Sequence, residues 1–356
     1  MAKAPAAPKA SIDPSAKIQA DRLRIGEGTK IEADVQINGR DVRIGRNVTI
    51  SEGTTLGGFR FRPLKRLVLG DDVFLGPRVQ LSVPSAVIGD YAKVHRHCSL
   101  YGQEPLVLGH NAWCGENSIL NSSGGLYVGN NVGIATRNSI WTHIAHADLI
   151  EGSRFRSFTP TVVSHNAWFL PDVTISSGVI VGEGSVVFPN SVVTKDTAPR
   201  HLYAGTPAED ITAKVPPYEA ITPEEKILRL ESFLKDYAKD HRLTAKRVVR
   251  EAMKTWAFSN GTFVAVMQKP RSDTSKAGLP DGALVFSYGF RDRNRKTTSF
   301  DLKAKTYTKR YTEAERSLIS YLGSGLARFV PADRPVLEPA FLKQCLAAIR
   351  RSRSKK

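Results

Sequence analysis

The stretch GEGSVVFPNSVVTKDTAPRHLYAGTPAEDI, residues 182–211, is too broken by Gly and Pro for a helix, and its aliphatic residues are too widely spaced for an alternating strand. Val187 and Val193 lie six apart, and the same step taken backwards meets Val181, Ile175, Phe169 and Val163. The stride continues upstream in triplets: Ile25, Ile31, Ile37; Ile44, Ile50, Leu56; Leu69, Leu75, Leu81; Ile88, Val94, Leu100; Leu108, Cys114, Leu120; Val128, Ile134, Ile140. Triplet starts are separated by 18 residues plus a variable insertion. A repeat of this kind is the signature of a solenoid.

Companion positions agree. Gly often follows the aliphatic residue, as at Gly45, Gly89 and Gly129, and a small or β-branched residue stands four places after it, as at Val48, Ala92 and Val132. Asn, Asp and Gly between them tolerate the left-handed backbone of a tight corner. Each hexapeptide is therefore expected to be one short flat strand plus a corner, and three make a triangular coil. The aliphatic side chain points inward and stacks on its equivalent one coil away, at a rise of about 4.7–4.9 Å. No coil buries its own face, so neighbours stabilise one another.

The repeats resemble the hexapeptide-repeat acyltransferases, sugar O-acetyltransferases among them. GEGSVV, VTKD and AGTPAEDI are similar to that family's G-A-G-S-V-V-T-K-D and A-G-x-P-A-K-x-I. The resemblance covers residues 12–212 and implies an all-β left-handed parallel β-helix, a homotrimer, and acetyl-CoA as acyl donor. By position it implies that Thr194 and Lys195 meet the donor's phosphates and that Gly182, Gly184 and Ser185 line its pantetheine arm. Three residues depart from the pattern: Glu183 stands where Ala is usual, Glu209 where Lys or Arg is common, and Pro171 where Gly or Ser is usual. Arg200 or His201 is the substitute for the phosphate contact that Glu209 puts in doubt.

The repeat breaks seriously once, at IWTHIAHADLIEGSRFRSFTPT between Ile140 and Val163. Long loops on rigid scaffolds tend to carry function. Acyl transfer to a hydroxyl needs a base, and an imidazole with an ordinary pKa near ~6.5 suits neutral pH. The resemblance implies one catalytic histidine at this coil. Thr142-His143 fits its T-x-H or S-H pattern best, with His146 second and Asp148 or Glu151 available to orient the ring. Asn117, Asn138 and Trp141 are the candidate acceptor contacts; Asn138 reads equally as a corner residue with a left-handed backbone. His95, His97, His110 and His165 single out no zinc trio, and no metal is expected.

The chain has 356 residues, 41% of them hydrophobic, and a formal charge of +17. Basic clusters at 60–66, 291–296 and 350–356 come without a nucleic-acid-binding motif, so an anionic membrane face is a more natural partner than nucleic acid. Cys98, Cys114 and Cys345 form no disulfide or zinc spacing, which suits a reducing compartment. MAKAPAAPKAS, residues 1–11, reads as a disordered arm without a signal-peptide core, and a cytoplasmic location is expected, peripheral at the inner membrane face if membrane-associated.

After a linker at 213–221 the hexads stop. Thr222-Pro223-Glu224-Glu225 is a capping box opening a helix with Ile227, Leu230, Leu234 and Tyr237 on one stripe. Strand-like runs follow, with an Asn260-Gly261 turn, then a helix capped at Thr312 and a last one in PAFLKQCLAAIRR. Residues 222–350 are expected to form an appended α+β domain, and 351–356 a basic tail. The chain thus reads as an acyl-CoA-dependent O-acyltransferase of a sugar hydroxyl in a glycoconjugate or polysaccharide precursor. The alternatives are N-acetylation of an amino sugar and a non-catalytic β-helix scaffold.

Overall fold

The computed structural model describes residues 9–57, 63–154, 156–250, 253–267, 278–289 and 296–354. Most of the arm at 1–11 and of the basic cluster at 291–296, and parts of the clusters at 60–66 and 350–356, lie outside the described residues; Ser11 already belongs to the first strand. The hexapeptide stride is realised as three parallel walls. On the first, Ile31, Ile50, Leu75, Val94, Cys114, Ile134, Phe169 and Val187 pair in register from coil to coil. On the second, Ile37, Leu56, Leu81, Leu100, Leu120, Ile140, Ile175 and Val193 do the same. The third stacks Ile44, Leu69, Ile88, Leu108, Val128, Val163 and Val181. The last two walls count as one 15-stranded sheet because Gln36–Ile44 turns the corner as a single strand, pairing with both. All these stacked side chains are buried. At the corners Asn47, Asp72, Asn111, Asn131 and Asn166 adopt positive φ, the left-handed conformation that short polar side chains tolerate.

The corner between the third and first walls carries a polar ladder. The backbone N–H of Arg46 donates to Asp71, that of Asp71 to Asp90, that of Asp90 to His110 Nδ1, that of His110 to Asn130, and that of Asn130 to His165 Nδ1, at 2.6–3.0 Å. Beside it Asn111, Asn131 and Asn166 pass amide hydrogen bonds from coil to coil, and Glu183 accepts the last one. The departure at Glu183 is thus a ladder terminus. His110 and His165 hold the corner, in keeping with buried polar groups being paired.

On the third wall the outward residues Val68, Val87, Val107, Tyr127, Val162 and Ile180 are also apolar. Helix α3 (Pro339–Arg353) covers them with Phe341, Leu342, Cys345, Leu346 and Ile349, and Leu337 joins the cluster. Tyr127 donates its hydroxyl to the Leu337 carbonyl at 3.2 Å, and burial pushes its pKa up to about 12. The chain accordingly divides otherwise than at 222–350: residues 219–335 are one compact unit, and 336–354 return to the solenoid.

The unit at 219–335 has helix α1 (Pro223–Asp240) opening with the expected reciprocal Thr222–Glu225 capping box, helix α2 (Glu313–Gly323), and a mixed seven-stranded sheet. Strands Met253–Phe258 and Phe263–Met267 pair antiparallel across the Asn260-Gly261 turn. At α2 the Thr312 hydroxyl caps the Glu315 N–H, while the Glu315 carboxylate takes the Thr298 hydroxyl and the Arg310 N–H.

Candidate active site

Between the second and third walls the chain leaves the prism and returns as a two-stranded ribbon. His143–Ala145 pairs antiparallel with Arg156–Phe158, placing His143 opposite Phe158 and Ile144 opposite Ser157. The base of the ribbon is tied to its neighbours. Thr161 donates its hydroxyl to the Trp141 carbonyl at 2.8 Å, and the Gly124 N–H donates to the buried Thr142 hydroxyl at 2.9 Å. Rigid anchoring at both ends gives His143 a defined position.

The His143 ring meets Asn121, one coil earlier, with Nδ1 3.0 Å from Asn121 Oδ1. Asn121 is fully buried. Its Oδ1 also accepts the Ser123 N–H at 3.1 Å and the Thr142 hydroxyl at 2.8 Å. A backbone N–H donates only, so this Asn121 atom is the acceptor oxygen, and a neutral His143 carries its proton on Nδ1. Its Nε2 then offers a lone pair. Trp141 approaches the ring edge-on at a centroid distance of 5.9 Å, and Phe158 stacks on it at 5.8 Å and 18°. Asp148 and Glu151, the expected orienting acids, do not hold this ring: Asp148 accepts the Ile150 N–H within its own turn, and Glu151 is exposed. His146 lies in the exposed outer part of the excursion, where its carbonyl accepts the Ser153 hydroxyl.

Successive residues of a ribbon face opposite sides. Ile144 and Ser157, whose positions face away from His143, line a groove of about 830 Å³ together with Arg154, Arg156, Thr194, Lys195 and the end of α3. Thr194 and Lys195 follow the last strand of the second wall, so they share this edge of the prism with the ribbon.

The other residues picked for the donor lie elsewhere in the chain. Gly182, Gly184 and Ser185 form the corner from the third wall to the first. A Cβ on Gly182 would meet the Thr197 carbonyl oxygen at 2.5 Å, so this glycine serves coil-on-coil packing. Ser185 is fully buried and donates to the His201 carbonyl. Arg200 stacks its guanidinium over Tyr218 at 4.4 Å, near Gly184. None of these four faces the groove beside the ribbon within one chain. His201 pairs with Asp210 at 2.5 Å, and hydrogen bonds from Thr212 first and His201 second hold the Asp210 carboxyl down to about 2.

Asn138 is a structural residue. It is buried, its amide donates to the Ala135 carbonyl at 2.7 Å, and its oxygen accepts the Val173 N–H at 2.7 Å. The left-handed residue of that corner is Arg137, not Asn138. Asn117 is an exposed left-handed corner. His95 accepts the Trp113 indole N–H at 2.8 Å, and its burial lowers its pKa. Among the described residues no three His, Cys, Asp or Glu side chains converge as a metal site.

No family model matches the chain. A galactoside O-acetyltransferase of Escherichia coli is 30% identical over 128 residues, 35% of this chain and 63% of its own length. The chain resembles the hexapeptide-repeat acyltransferases in sequence as well as in fold. A putative serine acetyltransferase of Schizosaccharomyces pombe is 32% identical over 104 residues, 29% of this chain and 37% of its own length. The chain therefore spans less than two thirds of these curated relatives. Among solved structures, a polysialic-acid-specific acetyltransferase is 19% identical over 63% of this chain and 99% of its own, with a TM-score of 0.40.

Proposed function

We propose that the protein is an acyl-CoA-dependent O-acyltransferase acting on a sugar hydroxyl, with acetyl-CoA as donor and His143 as general base. The observation that carries this reading is the fixed tautomer of His143: its Nδ1–H donates to Asn121 Oδ1, and its ring is flanked by Trp141 and Phe158 on a protruding ribbon. Nε2 removes the hydroxyl proton as the sugar oxygen attacks the thioester carbonyl. The C–S bond breaks, and the imidazolium returns the proton to the coenzyme thiolate. Flat aromatic faces suit the apolar face of a pyranose, so Trp141 and Phe158 are acceptor contacts as well as supports.

The donor's phosphates are assigned to Thr194 and Lys195. The assembly is a homotrimer, in which a neighbouring copy covers the ribbon's exposed Ile144, Leu149 and Ile150. N-acylation of an amino sugar by the same base is the second reading; the relative named for O-acetylation of galactosides supports the first.

The test is acetyl-CoA consumption against a panel of sugars and amino sugars. His143→Ala is expected to lower kcat by roughly 10²–10⁴-fold with the oligomer intact. Asn121→Leu is expected to lower kcat more than it raises KM. An active His143→Ala enzyme would remove the assignment of the base, and an intact trimer that consumes no acetyl-CoA would make the solenoid a scaffold.

A further inference from the structure

The groove beside the ribbon has an unusual charge pattern. Arg154, Arg156 and Lys195 line it, and among the described residues no carboxylate forms an ion pair with any of the three. Arg156 rests over the Phe158 ring, at 5.8 Å. The single acid in the lining is Asp196, next to Lys195. One carboxylate set beside three cations would draw them inward and cancel part of their field.

It is occupied otherwise. Arg353, in the last turn of α3, grips Asp196 with both terminal nitrogens, one at 2.8 Å, and donates a further hydrogen bond to the Gly178 carbonyl at 3.0 Å. The remaining Asp196 interaction is the Ile180 N–H at 2.9 Å. Arg353 is brought there by packing. Ile349, four residues earlier, is fully buried in the seam between α3 and the third wall. A guanidinium held by a packed helix is pre-organised.

We propose that this groove is a binding site for a phosphate-bearing ligand, and that the C-terminal helix makes it one by neutralising Asp196 through Arg353. The geometry of the lining supports the class. Arginine forks bind phosphate oxygens in pairs, and a lysine ammonium adds a point charge. The volume of about 830 Å³ lies within the range of small-molecule sites, roughly 300–1,000 Å³. Two sources carry such chemistry: the pyrophosphate and phosphate of coenzyme A, and a nucleoside-diphosphate-linked sugar. The first rests on the donor assignment made above for Lys195; the groove itself does not.

The experiment titrates the full-length protein with inorganic pyrophosphate at low and moderate salt, then repeats the titration in competition with coenzyme A and with a nucleoside-diphosphate sugar. Pyrophosphate is expected to bind, less tightly as salt rises. Replacing Arg154, Arg156 and Lys195 together by Ala is expected to weaken it at least tenfold. Arg353→Ala weakens it too, whereas Asp196→Asn leaves it as tight or tighter, and Arg353→Ala combined with Asp196→Asn regains most of the loss.

If Asp196→Asn weakens binding as much as Arg353→Ala, the pair is only an anchor for α3 and the inference is wrong. Wild-type affinity in the triple-alanine variant also overturns it. Competition by coenzyme A identifies the donor as the source, and competition by the nucleotide sugar alone identifies the acceptor. Charge-dependent pyrophosphate binding in a protein that consumes no acetyl-CoA keeps the groove and removes the proposed function.

Discussion

Histidine appears in this solenoid in two opposite tautomers, and the backbone decides which. His110 and His165 accept backbone N–H groups at Nδ1, so that nitrogen must keep its lone pair; His143 donates a hydrogen bond from Nδ1 to Asn121 Oδ1. His165 is therefore structural at the same time as it is titratable. Burial lowers the pKa of His165, against a smaller upward pull from Glu183. The folded value lies below the unfolded one of ~6.5, so the unfolded chain binds the proton first as pH falls. The stability that neutral His165 contributes is whole above that unfolded value and is lost progressively below it, down to the folded pKa. His165→Asn keeps an acceptor of the kind Asn130 already supplies one coil earlier, and it removes the titration. Thermal midpoints measured from pH 8 to pH 5 are expected to fall less steeply in this variant than in the wild type. Equal slopes would mean that other groups set the acid sensitivity.

At the scale of elements, the stacked aliphatics were legible because one residue in six must point inward on every coil. The covering of the third wall left a signal as well: LVL at 67–69, LVL at 106–108 and LYV at 126–128 are continuous apolar runs, whereas the paired strands of the first wall, KV at 93–94 and TI at 49–50, alternate. Strands apolar on both faces are buried on both. That pattern called for a cover, and α3 provides it from more than 200 residues away in sequence for Tyr127 and Leu337. Asn121 was legible only on the grid: Leu120 pairs with Ile140, which puts Asn121 beside Trp141, at the root of the excursion. The groove was not legible, because Arg353 and Asp196 meet only through the packing of α3. Ile349→Ala is expected to cost about 2–5 kcal/mol, the range for truncating a buried aliphatic side chain. Denaturant unfolding followed by circular dichroism measures it; a loss under about 1 kcal/mol would mean that α3 is not part of the solenoid's cooperative unit.

The whole solenoid is quasi-one-dimensional, each coil resting on its two neighbours, and it carries one large outgrowth. Among the described residues no helix is long and apolar enough to cross a membrane. The outgrowth nonetheless exposes four large apolar side chains: Ile150 is 93% exposed, Leu149 49%, Phe158 43% and Ile144 41%. Exposed apolar side chains gathered on one short excursion mark an interaction site. A neighbouring copy fits it because the same ribbon bears the proposed base, so assembly and catalysis would use one element. Ile150→Asp places a charge at the most exposed of these positions, far from the stacked core and from the Asn121–His143 contact. It is expected to leave the fold and its circular dichroism intact, to shift the sedimenting species from the proposed trimer to monomer, and to lower kcat at least tenfold. A variant that stays trimeric would place the subunit contact elsewhere on the prism. A monomer with full turnover would show that His143 works within a single chain, with Trp141 and Phe158 alone forming the acceptor's walls.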